Sequence, residues 1–514
     1  MKRNSLTTAV IAGIAGVAGF ASLANAVDLN ADGLGQVLLY PYYTVNNGQQ
    51  TLLSVVNTTQ FAKAVKVRFL EGHNSREVLD FNLFLSRYDV WTATVFALND
   101  FGLGSNGGAI ATADKSCTAP SILALPTIVG TQHYQPFLPF AYTGDNSDSG
   151  PSNIERTREG HFEMIAMADL LSPYSGYVTH VQNGIPNGGV VSAGNCGQVV
   201  GSIPESFLAP PTSGLFGNAG VVNVGQGTFF TYEADAIDGF TGVQIFSEPS
   251  FTTPTLQFAN DDTNNSPFAT AYVFQNGNLI TSTYDITDNR GIDAVSAVID
   301  ADAIYNEWIV GAGLAANSDW VVNFPTKRFY VDPQIVGYSA IPPFVYYFGE
   351  HAGSFNGNGL SCVVIGLAIY DQEEGTPAVT PGGFSPPPPG QPPSALCKET
   401  NVISFLKIAA GSPPPSQSGV LGSTLVTNVQ PYGDAGWLKL NLNPSSQQHN
   451  LRPSFLENNV FHGLPVNGFW ASNIVNGNAG GAGILANYAG VWRHRSSRDC
   501  SRLTPGNGNQ FACS

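Results

Sequence analysis

The stretches KAVKVRFLEG, residues 63–72, and REVLDFNLFLSRYDVWTATV, residues 76–95, alternate apolar with polar side chains. Val65, Val67 and Phe69 alternate with Lys66 and Arg68. Leu79, Phe81, Leu83 and Leu85 alternate with Asp80, Asn82 and Phe84. A period of two puts the two sets on opposite faces of an extended chain. The first run therefore predicts a strand with one wet face, and residues 90–95 predict another. Upstream, residues 36–45 are rich in Leu, Val and Tyr, and residues 51–57 follow the turn residues Asn46-Asn47-Gly48. Five short strands with tight turns predict an antiparallel sandwich, with an immunoglobulin-like arrangement for this N-terminal region.

Farther along, residues 219–224 and 228–232 read as a hairpin around Gly225-Gln226-Gly227. Residues 162–171 suit a strand or a short helix, and residues 294–310 are the best helical candidate. Residues 402–408 and 437–442 are strand-like again. The predicted class is mainly β: antiparallel β-sandwich domains with a few short helices. Residues 204–217, rich in Pro, Ser and Gly, suggest the first boundary. The reading is residues 1–26 as a signal peptide, 27–205 as an N-terminal sandwich region, 206–345 as a central β-rich region with one helix, and 346–514 as a C-terminal β-rich region. The last contains a Pro-rich loop at residues 376–393, with Pro386 to Pro389 favouring polyproline geometry.

The N-terminus explains where such a chain would fold. Lys2 and Arg3 precede an uncharged apolar run at residues 9–20, and Ala24-Asn25-Ala26 has the small-x-small pattern of a signal peptidase site, with cleavage after Ala26. The run is shorter than the roughly 20 residues of a membrane span, so no transmembrane anchor is expected after cleavage. Loss of Lys2 and Arg3 takes the net charge from −16 to −18. Such a charge disfavours nucleic acid and anionic headgroups as partners. Only 11% of residues are charged, while 43% are hydrophobic, ample for a core. An outer-membrane barrel is disfavoured, because long polar and Pro-rich segments interrupt the strands and Cys513-Ser514 is not an aromatic end.

Six cysteines, Cys117, Cys196, Cys362, Cys397, Cys500 and Cys513, form an even set, which in an exported protein predicts disulfides. Fifteen pairings are open. Sequential pairing is the simplest, since it keeps each bridge within one region.

Tests for chemistry return little. There is no G-x-S-x-G and no H-E-x-x-H. His161 and Glu163 would share one strand face as an exposed polar pair. Asp28, Asn30 and Asp32, followed by Gly33, match the first half of a calcium loop, making calcium the one cofactor candidate. The position that needs a bidentate acid holds Leu39. Glu233, Asp235 and Asp238, and separately Asp300, Asp302 and Glu307, are carboxylate groups of the kind used on glycans, where separation in space decides the role. Tyr40, Tyr42 and Tyr43, and Phe344, Tyr346, Tyr347 and Phe348, are candidate sugar platforms that strand packing would equally explain. Arg493, His494, Arg495, Arg498 and Arg502 form a small basic patch near the end.

Four stretches, residues 35–59 (GQVLLYPYYTVNNGQQTLLSVVNTT), 63–83 (KAVKVRFLEGHNSREVLDFNL), 318–332 (SDWVVNFPTKRFYVD) and 486–495 (ANYAGVWRHR), together resemble a group of secreted proteobacterial proteins known only as uncharacterised or cell-surface proteins. Residues 37–95 also resemble bacterial extracellular sandwich modules. The resemblance implies a secreted or surface location, the periplasm being the other compartment open to it, and brings no catalytic residue. The expected function is that of a non-enzymatic cell-surface or extracellular-matrix protein, self-associating or otherwise. An adhesin for glycan or another surface polymer is the first alternative. A secreted hydrolase with an unrecognised site is the second.

Overall fold

The computed structural model describes residues 26–182, 191–193, 195–261, 267–288, 290–311, 315–349, 360–375, 394–407, 412–431, 433–477, 480–481, 483–503 and 510–513. The signal segment up to residue 25 and the Pro-rich loop at 376–393 lie outside the described residues.

The alternating stretches fold as strands. The first part of the chain forms β1 (Val27–Leu29), β2 (Val37–Thr44), β3 (Gln50–Asn57), β4 (Ala62–Glu71), β5 (Glu77–Leu85), β6 (Val90–Ala97), β7 (Gly108–Thr112) and β8 (Glu159–Leu170). The middle forms β9 (Leu215–Asn223), β10 (Thr228–Glu233), β11 (Asp235–Asp238), β12 (Phe268–Gln275), β13 (Asn278–Asp285), helix α1 (Gly291–Val298), β14 (Ala303–Ile309) and β15 (Ala316–Asn323). The remainder adds β16 (Gly366–Asp371), β17 (Thr400–Phe405), β18 (Ala435–Asn441), β19 (Asn467–Asn476) and β20 (Ala486–Arg493). The expected helix over 294–310 is corrected: it ends at Val298, and β14 takes the rest. In β14 the large side chains Ile304, Tyr305 and Trp308 pair with β18, a ladder that no helix offers.

A ten-stranded sheet runs β13-β12-β1-β11-β2-β8-β4-β5 and ends on Cys117–Ala119, with Leu208–Ala209 as a tenth strand paired to the end of β8 off this path. It faces a seven-stranded sheet, β10-β9-β3-β6-β7, extended by Gln132–Pro136 and Ile128–Val129. Together they make an antiparallel sandwich larger than the seven or nine strands of an immunoglobulin plan. A third sheet orders β16-β18-β14, and a fourth orders β17-β15-β19-β20 with Val426–Val429 on the β17 side. The ten-stranded sheet takes strands from both sides of the 205/206 division. The core of the sandwich also includes Val321, Val402, Phe469 and Ala471 from the fourth sheet. That sheet's other face gives Trp320, Val322, Ile403, Phe405 and Trp470 to a second core, shared with β14, β18 and α1.

Burial on both faces changes the reading of β4. All ten of its residues are buried, Lys63, Lys66 and Arg68 among them, so the expected wet face is absent. Carbonyls of Thr212, Ser247 and Phe251 lie over it, accepting from Lys63, Asn82 and Lys66. Each β4 cation has an acid: Asp169 for Lys63, Asp80 for Lys66, and Glu77 and Glu163 for Arg68. The three disulfides follow the sequential order, Cys117–Cys196, Cys362–Cys397 and Cys500–Cys513.

One buried cluster ties the regions together. Arg156 donates to both oxygens of Glu71, at 2.6 and 2.8 Å, and to both oxygens of Asp148, at 2.7 and 2.6 Å. Burial alone would raise Glu71, but the guanidinium outweighs it and holds the carboxyl below its ordinary range. Arg156→Met leaves two buried carboxylates without their cation, so urea unfolding is expected to show a loss of about 3–5 kcal/mol. A loss under about 1 kcal/mol would show that the cluster does not hold the fold.

Candidate functional site

Most sequence candidates fall into structural roles. Asp28 lies in β1 opposite Asp238, and burial, with a smaller push from Asp238, raises its pKa to about 6. Asn30 closes its own turn, accepting from the Asp32 amide at 2.9 Å and donating to the Leu34 carbonyl at 2.7 Å. Leu39 is buried in β2. Among the described residues no group of three or more His, Cys, Asp or Glu is placed to hold a metal. Tyr40, Tyr42 and Tyr43 are core residues, not platforms; Tyr40 stacks on Phe162 at 4.1 Å. Phe344, Tyr347 and Phe348 are buried too. His161 and Glu163 do share a face of β8, but that face is interior, which corrects the exposed pair expected for them. The terminal basic patch is also dispersed. Arg493 pairs with Asp235, His494 meets the Val321 carbonyl, and Arg498 donates to backbone carbonyls.

The carboxylates behave differently. Asp235 on β11 and Asp300, just after α1, line one small cavity. Glu307 points elsewhere, across the ladder from Trp437. The cavity adjoins a cleft of about 470 Å³ between the edge strands β10 and β20. Tyr232 and Phe469, stacked at 4.8 Å, form the cleft floor with Pro41. The Tyr232 hydroxyl donates to the Tyr42 carbonyl, which fixes the ring. Asn218, Thr231 and Glu233 stand at the rim. At the deep end Asp235 pairs with the largely exposed Arg493 and accepts from Asn467 Nδ2 at 3.0 Å.

Asn218 and Thr231 also line an open trough of about 390 Å³ on the outer face of the seven-stranded sheet. Its walls are mostly small and uncharged: Ser54, Thr92, Thr94, Thr112 and Gln132. Phe229 is 53% exposed there, and the edge of its ring sits against Gly220, where a Cβ would come within 2.4 Å of it. Glycine is what lets the aromatic face open outward. The sequence signal for this wall was the alternation Thr228-Phe229-Phe230-Thr231-Tyr232-Glu233, buried and exposed in turn. Arg493 and Asn467 gave no such signal, because their partner Asp235 is more than 200 residues away.

Asp235 also ends a buried hydrogen-bond chain. Asn467 Oδ1 accepts from Asn323 Nδ2 at 2.9 Å, and Asn323 Oδ1 accepts from the Thr400 hydroxyl at 2.9 Å. Thr400 has then spent its proton, so at 3.4 Å it accepts from His161 Nδ1. His161 Nε2 is left as the acceptor facing the Ser75 hydroxyl at 3.5 Å. Every donor points toward the Asp235 carboxylate, an arrangement in which successive bonds polarise one another.

No family model matches the chain, and no match is found among curated proteins or solved structures. The chemistry must therefore be argued from the site.

Three imidazoles, His161 buried and His73 and His494 half-buried, set an acid limit on this region. Desolvation is the largest cause for each, and holds His73 down to about 4, His161 to about 3 and His494 to about 4. On unfolding they return to about 6.5. Above pH 6.5 neither state carries the protons, and stability is untouched. Below it the unfolded chain takes up protons that the fold refuses, at up to about 1.4 kcal/mol per histidine per pH unit. Asp28, Asp300 and Glu399, whose carboxyls burial pushes up, act in the opposite sense over the same range, so the histidine contribution shows as a difference between proteins. Relative to wild type, the urea midpoint of His161→Gln is expected to rise as the pH falls from 7 to 5, and a difference constant over that range would contradict this.

Proposed function

We propose that this is an exported cell-surface or matrix protein that holds a neutral polysaccharide in the β10–β20 cleft and along the adjoining trough. The carrying observation is that the two adjoin: the aromatic-floored cleft and a trough of hydroxyl and amide side chains share Asn218 and Thr231, and Phe229 stands exposed in the trough. Sugars present C–H faces and a ring of hydroxyls. Flat aromatics take the first, and uncharged side chains exchange water for the second at low desolvation cost. A net charge of −16 opposes acidic polymers over the whole surface.

The export half of the reading is supported by the N-terminal pattern at residues 1–26 and by the three disulfides. The first strand begins at Val27, directly after the Ala24–Ala26 motif. Among the described residues no helix is long and apolar enough to cross a membrane.

Binding fits this geometry better than hydrolysis. Both Asp235 oxygens are engaged, by Arg493 and Asn467. Asp300 lies in a space of about 50 Å³ that admits no sugar ring, so the two carboxylates do not flank a glycosidic bond.

A glycan array followed by calorimetry checks the reading. Retention of at least one neutral oligosaccharide is expected. Phe229→Ala, which removes an exposed ring, should weaken it about tenfold, or about 1.4 kcal/mol, with an unchanged thermal midpoint. Silence across all neutral glycans would remove the proposal, and recovery of the native protein from the cytosol would remove its location.

A further inference from the structure

The cavity behind Asp235 is partly open and measures about 50 Å³. It shares Asp235, Gly468 and Arg493 with the cleft, so the two adjoin. Leu29, Ile299, Ala301, Ile304 and Val466 make one part of its wall apolar, and Asp235, Asn467, Arg493, His494, Ser496 and Arg498 line the rest. Asp300 also lines it, 1% exposed, with neither carboxyl oxygen in a hydrogen bond. Arg498 is close by, but it donates to the carbonyls of Asp300, Val298 and Phe274, at 3.0, 2.6 and 3.3 Å, and not to the carboxyl. A buried polar group without a partner calls for one.

We propose that this cavity is a subsite for the hydroxymethyl arm of a hexopyranose bound in the cleft, with Asp300 as the residue that hydrogen-bonds the arm's hydroxyl. The inference rests on the cleft holding a saccharide. The fit is one of size and polarity. About 10–15 Å³ suffices for one water, so the space takes a few waters or one CH₂OH group and no ring. The apolar part of the wall suits the carbon of the arm, and Asp300, a lining carboxyl with no hydrogen bond of its own, suits its tip. Burial pushes the Asp300 carboxyl well above its usual range, chiefly by desolvation, with Arg498 opposing. In its protonated form the carboxyl donates one hydrogen bond and accepts another, which matches a hydroxyl that does both. Sites that pair with a ligand hydroxyl discriminate strongly against analogues lacking it.

Calorimetry on the full mature chain tests this with cellohexaose, maltohexaose, laminarihexaose and xylohexaose. Asp300→Leu is expected to weaken the tightest glucohexaose tenfold or more, while the thermal midpoint stays level or rises because the carboxyl makes no hydrogen bond within the protein. Ala301→Val narrows the cavity from another wall and should give the same loss, so the readout survives if one variant folds poorly. Xylohexaose, the cellohexaose backbone without the arm, should bind wild type and Asp300→Leu alike. Losses below tenfold in both variants, or a loss for xylohexaose equal to that for cellohexaose, overturn the subsite and leave the glycan reading standing. Failure of wild type to bind any of the glucohexaoses overturns the subsite, and silence across all neutral glycans overturns the glycan reading with it.

Discussion

The guanidinium of Arg156, set between Glu71 and Asp148 with none of the three side chains reaching solvent, is the constraint on which the arrangement of the sheets depends. Taking three charges out of water costs more than their attraction returns unless every donor is aimed at an acceptor. Here they are. Glu71 also accepts from the backbone amides of His73, Asn74 and Arg76, which fixes the turn between β4 and β5. That turn sends Arg76 to Asp332 and holds Ser75 against His161. The N-terminal sandwich is thereby tied to the part of the chain that carries the fourth sheet, and the Asp235 hydrogen-bond chain runs through the joint.

The same economy explains a composition with few charges. Much of the small charged complement lies inside: Lys63, Arg68, Glu159, Glu163, Asp293 and Asp319 are all buried. Glu159 is representative. It accepts from Tyr42, Ser423 and Thr424, joining β2 and β8 to a loop more than 250 residues away. Low charge bears on the surface, where uncharged polar side chains then carry the polarity. It is equally a property of a core with two-sided sheets, in which each charge admitted requires its own partner.

That distinction marks how far the sequence could be read. Period-two alternation located β4, β5 and β6, the Gly225–Gly227 turn located the β9–β10 hairpin, and the cysteine count located three bridges. These are local signals, and local pairing produces them. What covers a strand is not local. Lys66 and Arg68 alternate with apolar neighbours whether the outer face meets water or the segment carrying Phe251, so the pattern cannot separate the two. Tyr40, Tyr42 and Tyr43 have the same ambiguity: aromatics favour strands for packing, and only the covering sheet decides that they are interior. Of the candidate site, Glu233, Asp235 and Asp300 were visible as residue types. Arg493 was visible only as one member of a basic tail, because nothing in its neighbourhood names a partner on β11.

The cleft itself follows from a problem of sheet edges. β10 closes one side of the seven-stranded sheet and β20 closes one side of the fourth, and these two edges pack beside each other without forming a ladder. An edge strand presents unpaired amides and carbonyls, and proteins normally pair, cover or charge it. At one end the two edges are bridged, where Asn487 Nδ2 donates to the Gln226 carbonyl at 3.2 Å. At the other they part around Tyr232 and Phe469, and Arg493 reaches across to Asp235 instead of a backbone group. A ladder would have been the cheaper solution for two neighbouring edges. Its interruption, over an aromatic floor and beside a carboxylate held by Asn467 and Arg493 of the fourth sheet, is what leaves the cleft in which the proposed saccharide would lie.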